Sequence, residues 1–241
     1  MNQRYESLEA NWAAVEGILG GAFRGRRVEV LEAGGGSSTN VGFLPDVEFT
    51  AIDISPEQIA RNTYARHGIV ADLESFDGYR QRYDLIVLND VLEHMNAPEK
   101  AIERLMKQVS PGGYLLIGGP VPTSFKGLLT KLTPHGFHVW VYRALLDQPT
   151  AGLPGHAPFK TFLRFSVTPG PIAREARAAG LEIVHVGLSK ASWVIEGLRN
   201  KSPVLSGAYS LLMQILRVLS LGLWHPELTD MLILLKRPEP A

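Results

Sequence analysis

The chain contains no cysteine and carries no net charge. Its 24 Lys and Arg side chains balance its 24 Asp and Glu side chains across 241 residues. Without thiols it can form neither disulfides nor thiolate metal sites, and we expect no metal ion; this composition fits a reducing compartment. No long run of one charge sign occurs, so the electrostatic pattern typical of nucleic-acid binding is missing. We therefore do not expect a nucleic acid as partner.

The sequence also lacks internal repeats, low-complexity tracts and the charged-then-apolar order of a signal peptide. Residues 1–9 are polar, whereas a signal peptide continues into an apolar stretch. A chain of this length can bury a sizeable core within one domain. We expect a single domain over residues 1–241, located in the cytoplasm.

The most informative segment present is Val-Glu-Val-Leu-Glu-Ala-Gly-Gly-Gly-Ser-Ser at residues 28–38. An apolar, β-rich run reaches Glu32 and then the glycines Gly34, Gly35 and Gly36. Glycine lets the backbone turn sharply and approach a ligand where a Cβ atom would clash. The segment predicts the first strand and the nucleotide loop of a Rossmann-like domain.

Polar residues follow three further predicted strands. Asp53, Asp72 and Asn89 each come at the carboxyl end of an apolar run. In an open parallel sheet these ends face the crevice where ligands bind. We expect them to lie along one crevice with the glycine loop.

Helix and strand signals alternate along the chain, as a βαβ architecture requires. Ser55-Pro56 predicts one helix start and Pro98 another; further signals predict a strand at 114–118, a helix at 171–179 and strands at 181–186 and 231–235. The predicted fold is α/β, a Rossmann-like, doubly wound, mostly parallel sheet of about seven strands.

An ordered series of motifs over residues 25–120 resembles the class I S-adenosylmethionine-dependent methyltransferases, especially the small-molecule type. The matching residues are Glu32, Asp53, the Asp72-Leu73 pair, the segment Asp90-Val91-Leu92-Glu93-His94 and the turn Ser110-Pro111-Gly112-Gly113. One position departs from the family pattern, since the usual third glycine is Ser38 here. The resemblance implies S-adenosylmethionine as the cofactor.

The resemblance also implies roles for the strand-end residues. Asp53 would accept hydrogen bonds from the two ribose hydroxyls, because an ionised carboxylate accepts two side by side. Asp72 would accept from the adenine amino group, with Ile54 and Leu73 enclosing the ring. The methionine end would contact Glu32 and the backbone of Gly34, Gly35 and Gly36, with a further contact from Asn89. Asp and Asn at such positions also serve as ordinary turn residues.

Methyl transfer from a sulfonium depends mainly on positioning, so a dedicated base is not obligatory. A hydroxyl acceptor would benefit from one, and histidine is suited to that task near neutral pH. His94 follows the fourth strand, while His138, His135 and His156 lie further along the chain. We take His94 and His138 as the catalytic candidates, although an isolated histidine is more often structural.

Three segments extend beyond the minimal fold. Residues 1–24 predict an N-terminal helix that either covers the cofactor or packs on the sheet. Residues 119–165 are rich in proline and aromatic residues and predict a lid or acceptor-binding insertion. Residues 201–225 predict an extra apolar helix whose polar stripe is Ser206, Ser210, Gln214 and Arg217. We expect burial of this helix under the lid, on the sheet or in a homodimer, in preference to contact with a membrane surface or a span across it.

Three functions are compatible with these sequence features. The first is methyl transfer to a small-molecule acceptor, with a hydroxyl favoured. The second is a nicotinamide-dependent oxidoreductase, but Thr39 stands where its fingerprint needs a third glycine, and no Tyr-x-x-x-Lys pair occurs. The third is a methyltransferase-like module that binds a cofactor or partner without catalysis, with the 204–224 helix as its interaction element.

Overall fold

The computed structural model describes residues 2–77, 82–153 and 161–240. Its strands are β1 Gln3–Tyr5, β2 Val28–Ala33, β3 Val47–Asp53, β4 His67–Val70, β5 Tyr83–Asn89, β6 Val109–Pro120, β7 Glu182–Lys190 and β8 Leu228–Lys236. Its α-helices are α1 Leu8–Ala22, α2 Pro56–Arg61, α3 Pro98–Gln108, α4 Phe125–Leu132, α5 His135–Ala144, α6 Pro169–Ala178, α7 Ser192–Lys201 and α8 Pro203–Leu219. Single 3-10 turns occur at Leu92–His94 and Phe165–Val167.

The strands form one sheet in the order β1-β7-β8-β6-β5-β2-β3-β4. Every neighbouring pair is parallel except those of β8, which runs antiparallel to both β6 and β7. The order reverses between β2 and β5, and this is the switch point where open α/β sheets bind ligands. The predicted α/β, mostly parallel, doubly wound sheet is confirmed.

The N-terminus differs in detail from the predicted helix. Tyr5 belongs to β1, which pairs in parallel with β7 and brings the sheet to eight strands. The helix begins only at Leu8, where the Ser7 hydroxyl accepts a hydrogen bond from the Ala10 amide. Periodicity alone could not separate a short edge strand from the first turn of a helix, because the pairing partner lies far away in the sequence.

Apolar layers cover both faces of the sheet. One contains Ile102 and Leu105 of α3 with Ile172 of α6, and the other contains Val15 and Leu19 of α1. All five side chains are fully buried, and burying each contributes about 1.5–3 kcal/mol. Of the two roles predicted for the leading helix, the structure supports packing on the sheet.

Local signals placed most element boundaries well. The Ser55 hydroxyl accepts from the Gln58 amide and Pro56 opens α2. The predicted turn at residues 110–113 is a bulge inside β6: Val109 pairs with Tyr83 and Tyr114 with Leu85, so four residues lie opposite one.

The 119–165 segment contains two helices, α4 and α5. Hydrogen bonds tie its beginning to the loop before β8: the Phe125 amide donates to the Pro226 carbonyl at 2.9 Å, and Trp224 Nε1 donates to the Thr123 carbonyl at 2.8 Å. His156, predicted to lie in this segment, is outside the described residues. Whether the segment acts as a lid stays a prediction.

Helix α8 forms within the predicted 201–225 segment, but burial of its apolar side chains under the lid or on the sheet is not found in the chain, and burial in a homodimer stays a prediction. Only Ser206 and Met213 of this helix are buried, while large aliphatic side chains such as Leu211, Leu212 and Val218 are exposed. Part of the narrow polar stripe faces the domain, and most of the apolar side chains of the helix are therefore exposed. No helix in the described part of the chain is both long and apolar enough to cross a bilayer.

Candidate active site

The glycine loop after β2 fits tightly against the start of the 3-10 turn. Gly34 has φ +75°, and a Cβ atom there would clash with Cγ2 of Val91. Its amide donates to the Ile52 carbonyl at 2.6 Å. The positive φ favours glycine, and a Cβ atom would not fit beside Val91, so this position requires glycine. These two requirements explain the glycine found here in the sequence.

Asp53 anchors the same loop from the end of β3. Its Oδ2 accepts from the Gly36 amide at 3.0 Å and its Oδ1 accepts from the Ser55 amide at 2.8 Å. Asn62 Nδ2 donates to the Gly36 carbonyl at 2.8 Å. Each carboxylate oxygen has two lone pairs, so Asp53 keeps capacity for a ligand while it fixes the loop.

Glu32 is buried, and its carboxylate holds the segment that follows the glycine loop. Its Oε1 accepts from Thr39 Oγ1 at 2.7 Å and from the Asn40 amide at 2.8 Å. Burial raises the pKa of Glu32, and these two hydrogen bonds oppose the rise. A Cβ atom on Gly35 would lie 2.8 Å from Cβ of Glu32. The predicted contact of Glu32 with the methionine end of the cofactor stays a prediction.

A cleft of about 370 Å³ lies at the carboxyl ends of β2, β3, β4 and β5, within the range of about 300–1,000 Å³ typical of ligand sites. Six of the predicted site residues line it: Gly34, Asp53, Ile54, Asp72, Leu73 and His94. Asp90 and Val91 also line it, and Val91 lies against the glycine loop. Two of the three predicted strand-end residues, Asp53 and Asp72, therefore share one cleft with the glycine loop, whereas Asn89 does not line it.

Two walls of the cleft are apolar. Ile54 is 71% exposed at its mouth, while Leu73 is buried. Between them, Asp72 Oδ1 accepts from the Glu74 amide at 2.9 Å, so Asp72 also shapes a turn. An exposed isoleucine offers an apolar surface to the face of a flat ring, and a carboxylate at a strand end offers a hydrogen-bond acceptor to its polar edge.

Asn89 lies beside the cleft without lining it. Its Nδ2 donates to Asp90 Oδ2 at 2.9 Å and lies 3.5 Å from Asn40 Oδ1. A Cβ atom on Gly118 would clash with Asn89 Oδ1, so a glycine in β6 makes room for this amide. The structure thus connects Asn89 to the glycine loop through Asn40.

Three carboxylates gather where β5 and β6 end and the antiparallel strand β8 begins. Asp90 follows β5, Glu93 lies in the 3-10 turn, and Asp230 lies opposite Pro120 on the antiparallel strand β8. A Cβ atom on Gly119 would lie 3.6 Å from Glu93 Oε2. We call Asp90, Glu93 and Asp230 the carboxylate cluster.

The electrostatics of the carboxylate cluster are unusual. Burial, and then the charge of Asp90, raises the pKa of Glu93 to about 8. Burial also raises the pKa of Asp90 and of Asp230, with Asp230 adding to the rise at Asp90. The Lys126 ammonium opposes all three shifts. Perturbed carboxyl groups in a cleft mark candidate sites of proton transfer.

The two predicted catalytic histidines are in different places. His94 lines the cofactor cleft, and its Nε2 lies 3.8 Å from Glu93 Oε1. His138 lies on α5, where its Nε2 shares a hydrogen bond of 2.7 Å with Thr133 Oγ1. Burial lowers the pKa of His138, and the charge of His135 adds to this effect.

A second cavity of about 250 Å³ lies between α4, α5, α7 and α8. Its lining is mostly apolar and aromatic and includes Phe137, Trp140, Tyr142, Trp193 and His138. Lys126 also lines it, with Nζ 4.5 Å from the Trp193 ring centroid. Because Lys126 also acts on the carboxylate cluster, it links the two sites electrostatically.

The fold and the cleft agree with a match to a known protein family. The profile of the methyltransferase domain family matches residues 14–186. The chain belongs to this family. The predicted methyltransferase family and its Rossmann-like fold are confirmed, the family match supports S-adenosylmethionine as the cofactor, and the nicotinamide alternative loses its support.

Two curated methyltransferases share part of the sequence. The tRNA (carboxymethyluridine(34)-5-O)-methyltransferase of Arabidopsis thaliana is 34% identical over 111 residues, 44% of this chain and 27% of that protein. The malonyl-[acyl-carrier protein] O-methyltransferase of Anoxybacillus flavithermus is 34% identical over 97 residues, 36% of this chain and 37% of that protein. The chain thus aligns with well under half the length of either relative.

A solved methyltransferase shows the same fold over nearly the whole chain. The plantazolicin methyltransferase BpumL, in complex with a triazolic desmethylPZN analog and SAH, has a TM-score of 0.57 at 16% identity. The match covers 95% of this chain and 84% of that one. At this identity the likeness concerns the fold.

The carboxylate cluster was missed as a unit by sequence reasoning. Asp90 and Glu93 belong to the segment that resembles the family, but only the histidine of that segment was selected as a catalytic candidate. Asp230 carried no sequence signal of a site, since its place beside Asp90 depends on the antiparallel pairing of β8 with β6. The available hint was weaker: Asp230 is an acidic residue directly before the apolar run 231–235.

Proposed function

We propose that the protein transfers a methyl group from S-adenosylmethionine to a hydroxyl group of an apolar small molecule. The observation that carries this proposal is the carboxylate cluster, one member of which, Asp90, lines the cofactor cleft. Bound S-adenosylmethionine would supply an activated methyl group on a sulfonium. The chain would supply binding, orientation and removal of the acceptor proton.

The cleft residues fit the cofactor in chemical type. Asp53 has lone pairs left for a ribose diol, and Asp72 offers a carboxylate beside the apolar Ile54 and Leu73. We assign the methionine end to the glycine loop, with Glu32 and Asn89 in support. Preformed hydrogen bonds within the loop reduce the ordering that binding requires.

Asp90 is the proposed base for the acceptor hydroxyl. Its raised pKa makes it a better proton acceptor than an ordinary aspartate, provided it stays ionised. Glu93, with a pKa of about 8, is mainly protonated at neutral pH and so adds little negative charge beside Asp90. Lys126 stabilises the charge that remains.

His94 is the second candidate for this base. It lines the same cleft and lies beside Glu93. Replacing Asp90 and His94 separately distinguishes them, because the true base controls the rate of transfer at saturating cofactor. We assign His138 to the acceptor cavity, where Thr133 fixes its ring.

The second cavity is the proposed acceptor site, covered by the 119–165 segment as a lid. Its aromatic lining favours an apolar or ring-shaped molecule. Lys126 and Tyr142 line this cavity and interact electrostatically with Asp230. This connection supports an acceptor that lies in the cavity with its hydroxyl toward the carboxylate cluster.

Isotope transfer tests the proposed function before the acceptor is identified. The protein is incubated with methyl-labelled S-adenosylmethionine and with apolar, aqueous and RNA fractions of a cell extract. We expect label on oxygen in the apolar fraction, loss of labelling in Asp90→Asn, and full labelling in Asp46→Asn, which changes an exposed aspartate elsewhere. Label on nitrogen or in RNA would contradict the acceptor class, and no label in any fraction would favour a non-catalytic module.

A further inference from the structure

The outward side of α8 is a continuous apolar surface. Large aliphatic side chains recur there at helical spacing and remain exposed in the chain: Val204, Leu211, Leu212, Ile215, Val218 and Leu219. Residues seven, eight, eleven and fourteen positions apart share one face of a helix. An exposed face of this size marks an interaction site, because a soluble chain otherwise buries such residues. We call it the α8 face.

The inward side of α8 holds the buried Ser206 and Met213 and the half-buried Ser210. Ser206 Oγ donates to the Pro203 carbonyl at 3.0 Å and Ser210 Oγ donates to the Ser206 carbonyl at 2.9 Å. Both hydroxyls are satisfied within the helix, so they can pack against the domain without other partners. The helix is therefore oriented with its apolar side toward the surroundings.

The turn after α8 extends the α8 face. Leu221 and Leu223 are each 88% exposed, and Leu221 has φ +52°. That conformation costs a non-glycine residue about 1–2 kcal/mol, yet hydrogen bonds hold it: the Gly222 amide donates to the Arg217 carbonyl and the Trp224 amide to Ser220 Oγ. The turn thus keeps two leucines pointing away from the domain.

Basic residues precede the α8 face along the chain. Residues 197–226 contain Arg199, Lys201 and Arg217 and no Asp or Glu, in a chain whose net charge is zero. Arg199 and Lys201 are exposed just before α8 begins. Arg217 NH1 lies 3.9 Å from Glu227 Oε1, outside that segment. Apolar side chains flanked by basic ones match an anionic lipid surface.

We propose that the α8 face docks the protein on an anionic membrane surface. Helix α8 lies in the plane of the interface, with its aliphatic side chains among the acyl chains and with Arg199 and Lys201 at the phosphate groups. Trp224, an indole fixed at the end of the helix by its bond to Thr123, lies at headgroup depth. The proposal holds whether or not the domain transfers a methyl group.

A lipid surface fits the α8 face better than two other occupants. A second copy of the chain would offer Arg199 and Lys201 no partner of opposite charge from the 197–226 segment, which contains no Asp or Glu. A nucleic acid would be expected to meet basic residues interleaved with stacking aromatic rings, whereas the centre of this face is aliphatic.

Vesicle flotation tests the proposal with the full chain. Vesicles of phosphatidylcholine alone are compared with vesicles that also contain phosphatidylglycerol, at low and at high salt. We expect binding to the anionic vesicles, weakened by salt and by Arg199→Gln combined with Lys201→Gln. Combining Val218→Gln with Leu223→Gln should lower the partition coefficient by roughly tenfold.

Matched controls separate the α8 face from general surface effects. Val70→Gln changes a valine that is 52% exposed on β4, at the far edge of the sheet, and Arg174→Gln with Arg177→Gln removes two exposed charges from α6. Both should leave flotation unchanged. No flotation, or flotation that the α8 variants do not affect, overturns the proposal. A dimer that Val218→Gln and Leu223→Gln dissociate, without vesicle binding, would assign the face to a second copy.

Discussion

The amide of Gly36 donates a hydrogen bond of 3.0 Å to Oδ2 of Asp53. This bond joins the glycine loop after β2 to the carboxylate at the end of β3, two elements that sequence motifs identify separately. Asp53 therefore has two tasks, since it fixes the loop and offers its remaining lone pairs to a ligand. The conformation of the loop and the contact to the ribose are coupled through one side chain.

Replacing Asp53 should weaken cofactor binding while the fold persists. We expect Asp53→Ala to reduce the affinity for S-adenosylhomocysteine by about 1.5–3 kcal/mol, the range for hydrogen bonds to a charged group. Asp53→Asn should lose less, because its carbonyl oxygen can still accept from the loop. Calorimetry measures the affinities, and circular dichroism checks the fold. Equal affinity in folded Asp53→Ala would place the ribose elsewhere.

Two glycines with similar backbone angles allow a matched test of the loop. Gly34 and Gly25 have φ +75° and +72°, but only at Gly34 would a Cβ atom meet another group, the Val91 side chain. Both alanine variants should lose about 1–2 kcal/mol from backbone strain. Gly34→Ala should lose further stability and also cofactor affinity, because it displaces a wall of the cleft. Similar behaviour of the two variants in thermal unfolding and calorimetry would contradict this coupling.

Sequence reasoning predicted the features that depend on local chemistry. The glycine loop, the strand-end carboxylates Asp53 and Asp72 and the cap at Ser55 follow from backbone constraints that neighbouring residues reveal. The common cleft followed from one further rule, that parallel strands end at the same edge of a sheet. These features could be predicted because the residue types themselves mark them, even where the contacts that they make, such as that of Gly34 with Val91, lie far apart in the chain.

The features that sequence reasoning missed do depend on such distant contacts. Strand β1 forms only because β7, far away in the chain, offers an edge. Asp230 reaches the site because β8 is antiparallel to β6. The exposure of the apolar side of α8 was not expected, because amphipathicity shows that two faces differ, whereas the surroundings decide which one faces inward.

Glu93 should make stability depend on pH. With a pKa of about 8 against an ordinary value of 4.5, the folded state holds a proton that the unfolded state releases between these limits. The free energy of unfolding therefore falls as pH rises through this window, by up to roughly 1.4 kcal/mol per pH unit from this group. Glu93→Gln should become progressively more stable relative to the native chain between about pH 5 and pH 8.

Urea unfolding across this pH range checks the prediction. Glu16→Gln, on an exposed position of α1, serves as the control and should stay parallel to the native chain at every pH. If the free energy of unfolding of Glu93→Gln also stays parallel to that of the native chain, Glu93 is ionised in the folded state and cannot relieve the negative charge beside Asp90.

The central claim is that the cleft at the carboxyl ends of β2, β3, β4 and β5 binds S-adenosylmethionine. The most direct measurement is calorimetric titration of the purified chain with S-adenosylmethionine, S-adenosylhomocysteine and NAD in parallel. We predict saturable binding of the first two, weakened in Asp53→Ala, and no binding of NAD. Binding of NAD without binding of either sulfur compound would contradict the claim.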